Sequence, residues 1–252
     1  MNETITSAYL HEVTSRLQRL IEPEATASID AACDLIAASL RAGGVVQAFG
    51  TGHSQAFVME VVGRAGGLIP TSSMALRDLV LYGGRDTSIL SGGQLERDDS
   101  VVEELFAVTP TSPEDVFIVA SNSGVNGSIV GVALAAKERG HRLIGVTSLE
   151  HTNAVTPKHP SGKRLSEIAD VVIDNLAPYG DTALTLDDGT GVGAVSSITA
   201  AFIAQLLTIG VAERLGDSGA KPPVYISANI PGGDEHNHAL EDAYRGRIRR
   251  TA

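Results

Sequence analysis

The feature that most constrains this chain is an apolar run, Val116–Ala120, that ends in a turn of serine, asparagine and glycine, Ser121–Ser128. The turn passes directly into a helical pattern of Ile129, Val130, Ala133 and Leu134. Five consecutive apolar residues leave no polar face. Such a strand must be covered on both sides, as in a parallel sheet with helices on each face. The same grammar occurs earlier. Val45–Phe49 is an apolar run and Gly50-Thr51-Gly52-His53-Ser54 a turn. Phe57, Val58, Val61, Val62 and Ala65 then follow at helical spacing. Leu143–Thr147 and Val171–Ile173 read as further strands, and Leu68–Thr71 as another. Met74–Leu81 reads as a helix within a loop-rich stretch, Val195–Leu215 as a long helix with Ile198, Phe202, Leu206 and Ile209 on one face, and Glu235–Arg247 as a last helix. Strands alternating with helices predict an α/β fold.

Upstream, Leu10, Val13, Leu17, Leu20 and Ile21 recur at helical spacing up to Pro23. Ile29, Cys33, Ile36 and Leu40 form a second such run that ends at Gly43-Gly44. Residues 1–43 thus read as an N-terminal helical hairpin and 44–252 as the main domain with a C-terminal helical extension. Two amphipathic helices outside the sheet need an apolar surface to cover, so a homodimer is expected.

Charge narrows the partners. With 19 Lys and Arg against 30 Asp and Glu, the net charge is −11. Nucleic acid and anionic membranes would repel such a chain. The one basic cluster, Arg245, Arg247, Arg249 and Arg250, is expected to cap a helix end or to meet a neighbouring subunit. Cys33 is the single cysteine and falls on an apolar stripe, which predicts a buried, inert thiol. Met1–Arg16 lacks a charged-then-apolar leader pattern, and no apolar run reaches the roughly 20 residues that span a bilayer. A cytoplasmic protein is expected.

In a parallel sheet, ligands sit beyond the carboxyl ends of the strands. Both Gly- and Ser-rich turns lie there, and each leads into a helix. Helix N-termini present free N–H groups and a partial positive charge, so they hold anions without Lys or Arg. Ser121, Ser123, Asn126 and Ser128 are the expected phosphate contacts from one turn, with Gly52 and Ser54 from the other. Commoner phosphate motifs are absent. The third glycine of a dinucleotide fingerprint would fall at Gln55, and neither a G-x-x-x-x-G-K-[ST] loop nor a G-x-S-x-G elbow occurs.

Val45–Ser54 and Val116–Asn126 resemble the two signatures of the sugar isomerase (SIS) domain. The whole chain is similar to a bacterial family of single-SIS proteins. The likeness is carried by Gly52-His53-Ser54, Glu60, Arg64-Ala65-Gly66-Gly67 and Leu95-Glu96-Arg97. It continues through Ser121-Asn122-Ser123-Gly124, His159–Leu165, Pro178-x-Gly180-Asp181 and Gly233–Asn237. The resemblance implies a flavodoxin-like five-stranded parallel sheet flanked by helices, a phosphosugar ligand and a dimer. It does not imply one reaction. SIS domains serve as aldose–ketose isomerases, as an N-acetylmuramic acid 6-phosphate etherase, and as sensors without chemistry.

Aldose–ketose isomerisation needs a base between C1 and C2 and a group to open the ring. His53, Glu60, Glu96 and His236 are the candidates. Glu60 lies seven residues beyond His53 and is expected on the same helical face, although Glu60 and Arg64 also fit a plain i, i+4 ion pair. Glu96 follows a Gly-rich loop. Partial burial at such a site would raise a carboxyl's pKa and suit it to act as base near neutral pH. His236 belongs to the polar run Asp234–His238, where Asp234 is also a natural helix cap. His236 and His238 lack the further ligands that a metal site needs. Lys163 and Arg164 are placed to close over a phosphate or to stand in solvent. The expected function is isomerisation or epimerisation of a hexose or amino-sugar phosphate without a cofactor. The alternatives are a phosphosugar sensor and a lyase or hydrolase acting on an amino-sugar 6-phosphate.

Overall fold

The computed structural model describes residues 3–217, 219 and 221–250; the outermost residues of the expected 1–43 and 44–252 units lie outside these. Five parallel strands form the central sheet: β1 Val46–Gly50, β2 Thr71–Met74, β3 Val116–Ala120, β4 Arg142–Thr147 and β5 Val171–Asp174. Their order is β2-β1-β3-β4-β5. The helices are α1 Glu3–Arg19, α2 Pro23–Arg41, α3 Gln55–Val61, α4 Asp78–Leu81, α5 Val102–Val108, α6 Gly127–Glu138, α7 Leu149–Ala154, α8 Ser196–Gly216 and α9 Gly233–Glu241.

The continuous apolar runs are explained by two cores. Successive side chains of a strand point to opposite faces. Val116, Ile118 and Ala120 of β3 face one core with α2, α3 and α8, while Phe117 and Val119 face the other with α5 and α6. α2 belongs to the first core. Its Ile29, Cys33, Ile36 and Leu40 pack on α8 and the sheet, so this stripe is covered within the chain. Pro23 does not merely stop the first run but opens α2 at its first turn, where a missing N–H costs nothing. Burial raises the Cys33 thiol to about 11.

Several boundaries differ from expectation. The strand read at Leu68–Thr71 begins at Thr71, because Ile69-Pro70 precedes it and Pro70 donates no ladder bond. α5 and α7, seven and six residues long, were too short to show a helical period. The Asp234 side chain does not cap α9, which starts at Gly233 after Gly232 in the left-handed region (φ 77°). α8 is 21 residues long and apolar enough by composition to cross a bilayer, which a search for unbroken apolar runs overlooks; its Ile203, Ala204, Leu207 and Val211 are buried in the first core.

The basic tail folds back on its own chain instead of reaching outward. Arg245 pairs with Asp242 at 2.7 Å, Arg250 with Glu241 at 3.0 Å and Arg247 with Asp115 at 2.6 Å. Asp115 is wholly buried and also accepts the Val45 N–H, the Ser112 N–H and the Gln47 amide. Arg249 donates its backbone N–H to Ser72 and accepts from Ser73 N–H, which covers the edge of β2.

On the far side of the sheet, Asp170 accepts from Lys137, Arg142 and the Leu143 N–H. Burial pushes its carboxyl upward, but these donors outweigh it and hold the pKa below the usual carboxylate value. A depressed carboxyl stabilises the fold above its unfolded pKa and loses that contribution as pH falls through its folded pKa. Asp170→Asn is therefore expected to destabilise by about 1–2 kcal/mol at neutral pH. In urea titrations the gap between wild type and variant should close as the pH is lowered through the carboxylate range. A gap that stays constant would refute this role.

Candidate functional site

The chain passes from β1 outward to β2 and then returns across β1 to β3, so strand order reverses between β1 and β3. Gly50 and Ala120 are register partners at the ends of those strands, and their turns leave side by side. A parallel sheet of this order forms its crevice at such a point. After β1, Gly52–Ser54 makes a single 3-10 turn before α3, with Gly52 at φ 55°. After β3, the Ser121 hydroxyl accepts the Gly124 N–H at 3.1 Å. Gly124 (φ 63°) presses on Thr147 and Thr152, where a β-carbon would stand 3.0 Å from the Thr147 hydroxyl oxygen. The stretch around His159–Leu165 braces this turn from behind, because Lys158 N–H and Leu165 N–H donate to the carbonyls of Val125 and Gly124. Arg164 donates to the carbonyls of Thr152 and Val155, so its guanidinium holds the end of α7 and does not close over a ligand.

Two clefts open on either side of the Gly52–Ser54 turn. The first is lined by His53, Ser54, Ser121, Asn122, Asn175 and Ser197. Asn122 accepts from the Asn175 amide through Oδ1 at 3.1 Å, which leaves its own amide hydrogens for a ligand. The Ser121 hydroxyl accepts from Gly124 and keeps its proton to donate. Asp181 (φ 56°) accepts from Val195 N–H, Ser196 N–H and the Ser196 hydroxyl, which caps α8 at the cleft rim. The wall thus combines hydroxyl and amide donors with the apolar side chains of Phe57, Ala120, Val146 and Ala200, and no Lys or Arg lines it. Such a surface suits an anion whose oxygens take several neutral donors.

The second cleft holds about 310 Å³ and is bounded by Thr51, Gly52, Arg77, Leu90 and Glu96 among others. Glu96 sits in the 3-10 turn Leu95–Arg97, docked on the start of α6. The Ser128 hydroxyl donates to its backbone carbonyl at 2.8 Å, and Asn126 Nδ2 approaches its carboxylate at 3.5 Å. The other carboxylate oxygen faces Gly52, where a β-carbon would be 3.4 Å away. Asn126 Oδ1 is buried without a partner.

The expected residues divide accordingly. His53, Ser54 and Ser121 share the first cleft; Gly52 and Glu96 share the second. Asn126 stands against Glu96, and Ser123 lies half-buried in the β3 turn outside the first cleft's lining. Ser128 is not a phosphate contact: it is fully buried and its hydroxyl is committed to Glu96. Glu60 lies outside both clefts. Its carboxylate pairs with Arg64 and accepts from Gln205 of α8 at 3.0 Å. The spacing argument fails because His53 lies in a 3-10 turn, so seven residues do not amount to two α-helical turns from it. His236 is exposed on α9 and bonds to the Val224 carbonyl at 3.0 Å. Val224 bridges Leu68, ahead of β2, which puts His236 at the opposite end of the sheet within one chain. Asn175, Ser197 and Arg77 were missed by sequence reading. The rule that ligands lie beyond strand ends, applied to β5 and β2 as well, points to Asn175 and Arg77.

Residues 8–148 match the family model described as the SIS domain. A UPF0309 protein of Listeria monocytogenes, lmo0025, is 39% identical over 229 residues, covering 90% of this chain and 92% of that one. A second, GK1441 of Geobacillus kaustophilus, is 33% identical over 95% of this chain and 94% of its own. Among solved structures, the phosphoheptose isomerase GmhA of Neisseria gonorrhoeae superposes with a TM-score of 0.53 at 17% identity, over 84% of this chain and 99% of that one. A phosphoheptose isomerase of Francisella tularensis gives 0.54 at 16% identity over the same shares. These structural likenesses establish the shared fold, a five-stranded parallel sheet flanked by helices. With a family model spanning more than half its length and close relatives spanning nearly all of it, the chain belongs to the SIS domain family and, within it, to the UPF0309 proteins.

Proposed function

We propose that the protein binds a phosphorylated sugar and isomerises or epimerises it. The observation that carries this reading is the pair of clefts at the β1/β3 switch point: one that presents several hydroxyl and amide donors and no Lys or Arg, beside a cleft that contains a carboxylate. The phosphate is held by Ser54, Ser121, Asn122 and Ser197. The sugar crosses the Gly52–Ser54 turn and presents its C1–C2 end to Glu96. The Glu96 carboxylate takes the proton from C2 of the open-chain sugar, leaving an enediolate; a proton passes from O2 to O1, and Glu96 returns its proton to C1 to give the ketose. His53, on the turn between the clefts, donates to the ring oxygen during opening. Membership of the SIS domain family, with a phosphoheptose isomerase among proteins of the same fold, supports this reading.

The protein is also proposed to be a cytoplasmic homodimer. Ile198 and Ile209 of α8 are 38% and 60% exposed, and Phe202 and Leu206 between them are only half-buried. This is the face that the sequence marks as apolar, and a second copy would cover it.

Thermal shift tests the ligand class. Hexose and amino-sugar 6-phosphates, at a hundred times their dissociation constant, should stabilise the fold by about 2.7 kcal/mol, and the unphosphorylated sugars should not. If no phosphosugar raises the melting temperature above the effect of inorganic phosphate, the proposal fails.

A further inference from the structure

The base and the anion turn belong to different segments, and proton transfer needs the distance between them fixed. Glu96 stands in a 3-10 turn that follows the Gly92-Gly93 loop. From one side α6 holds the backbone of that turn. The Ser128 hydroxyl bonds the Glu96 carbonyl, and Gly127 packs so closely that a β-carbon would meet the backbone of Arg97 and Asp99. The segment 158–165 meets the same stretch from another direction. Its Lys158 and Leu165 N–H groups grip the anion turn through the carbonyls of Val125 and Gly124. Next to Lys158, the His159 ring reaches across to Asp99, three residues past Glu96, with Nε2 at 3.5 Å from Asp99 Oδ2.

The ring is fixed for this contact. Its side chain is only 12% exposed. Nδ1 receives the Ser161 N–H at 3.1 Å and lies 2.9 Å from the Ser161 hydroxyl. A backbone N–H can only donate, so Nδ1 is an acceptor and the neutral ring carries its hydrogen on Nε2, the atom turned to Asp99. The Gly162 N–H closes the turn on the His159 carbonyl at 3.0 Å. Asp98 is spent locally, accepting from the Ser100 N–H and hydroxyl, so the lateral tie falls to Asp99. Asp99 is 42% exposed, and a pair with one partner so open to water adds little to global stability. Its consequence is therefore one of placement.

We infer that His159, acting through Asp99, is a positioning residue for Glu96. It clamps the base-bearing turn to the segment that grips the anion turn, and so sets the separation of base and phosphate. This rests on the isomerase reading above and adds to it a residue that lines neither cleft. His159 takes no proton from the sugar.

The test has one arm with ligand and one without. With ligand, deuterium uptake at C2 is followed for glucose 6-phosphate, mannose 6-phosphate and glucosamine 6-phosphate. His159→Ala and Asp99→Ala should each lower kcat for exchange about tenfold to a hundredfold and leave KM unchanged. The double variant should lose no more than either single one, because the two side chains form one contact. His159→Gln, whose amide N–H can reach Asp99, should recover most of the loss. Without ligand, amide hydrogens of residues 94–102 should exchange with solvent faster in both alanine variants, at nearly unchanged melting temperature. Additive losses, a raised KM at unchanged kcat, or wild-type amide protection in both variants overturns the inference alone. A wild type that binds none of the three sugars, or binds them without exchanging the C2 proton, removes the isomerase reading and the inference together.

Discussion

Glu96→Gln is expected to slow exchange of the substrate C2 proton in deuterated water by about a hundredfold to ten-thousandfold, with phosphosugar affinity nearly unchanged. The expectation rests on where the carboxylate stands. Its turn is pinned through the backbone by Ser128, so the side chain is positioned without using its own oxygens for support. One oxygen has only a long 3.5 Å approach from Asn126, and the other looks across Gly52 into the cleft. A carboxylate held by strong donors makes a poor base, because those donors stabilise its charge. Glu60 is in that position, paired with Arg64 and bonded by Gln205. Glu60→Gln should therefore leave exchange almost intact and lower stability slightly at the α3–α8 contact. If Glu60→Gln removes exchange and Glu96→Gln does not, the assignment is reversed. If wild type exchanges no proton with any phosphosugar that binds, the isomerase reading falls, and sensing or cleavage of the same ligand takes its place.

The fold was legible because its strands are short, apolar and punctuated. β3 was read to the residue, since Asp115 and Ser121 bound it sharply. α8 was read within a residue at either end, but the sequence does not say which of its faces is buried. Ile198, Phe202, Leu206 and Ile209 share one apolar face, whereas the face turned inward is Thr199, Ile203, Leu207 and Val211. A helix apolar all round carries no orientation signal, and only the sheet decides which side turns in. The site was legible where a motif is also a strand end. His53, Ser54 and Ser121 follow directly from β1 and β3. It was illegible where contact depends on distant segments. The docking of Leu95–Arg97 on α6, 30 residues downstream, has no local trace. Ser128 shows the reverse error: a serine in a phosphate-like turn can serve the fold by holding a backbone carbonyl.

Gly127→Ala offers the sharpest separation of fold from function. Gly127 is the first residue of α6, and the Leu95–Arg97 turn lies directly on it. A β-carbon there would fall on the Arg97 carbonyl, 2.8 Å from its carbon and 3.1 Å from the Asp99 nitrogen. Helix propensity alone favours alanine over glycine by about 1 kcal/mol. The clash opposes it, and overpacking of this kind costs about 1–3 kcal/mol. The obstacle is backbone, which cannot rotate away, so the turn must lift and take Glu96 with it. The net change in stability is expected to be about 2 kcal/mol or less, small enough to leave the protein folded. Displacing a reacting group by about 1 Å can lower the rate a hundredfold. Gly127→Ala should accordingly lose about a hundredfold in C2 proton exchange while its melting temperature falls only by several degrees. Gly131→Ala is the matched control. It lies one turn further along α6, and its β-carbon would meet a Val102 methyl at 2.7 Å, a side-chain atom that can move. It should destabilise without moving Glu96, so its exchange rate should stay near wild type. Equal losses of exchange in both variants would mean that the Leu95–Arg97 turn has no special part in the reaction, and Glu96 would no longer be the base.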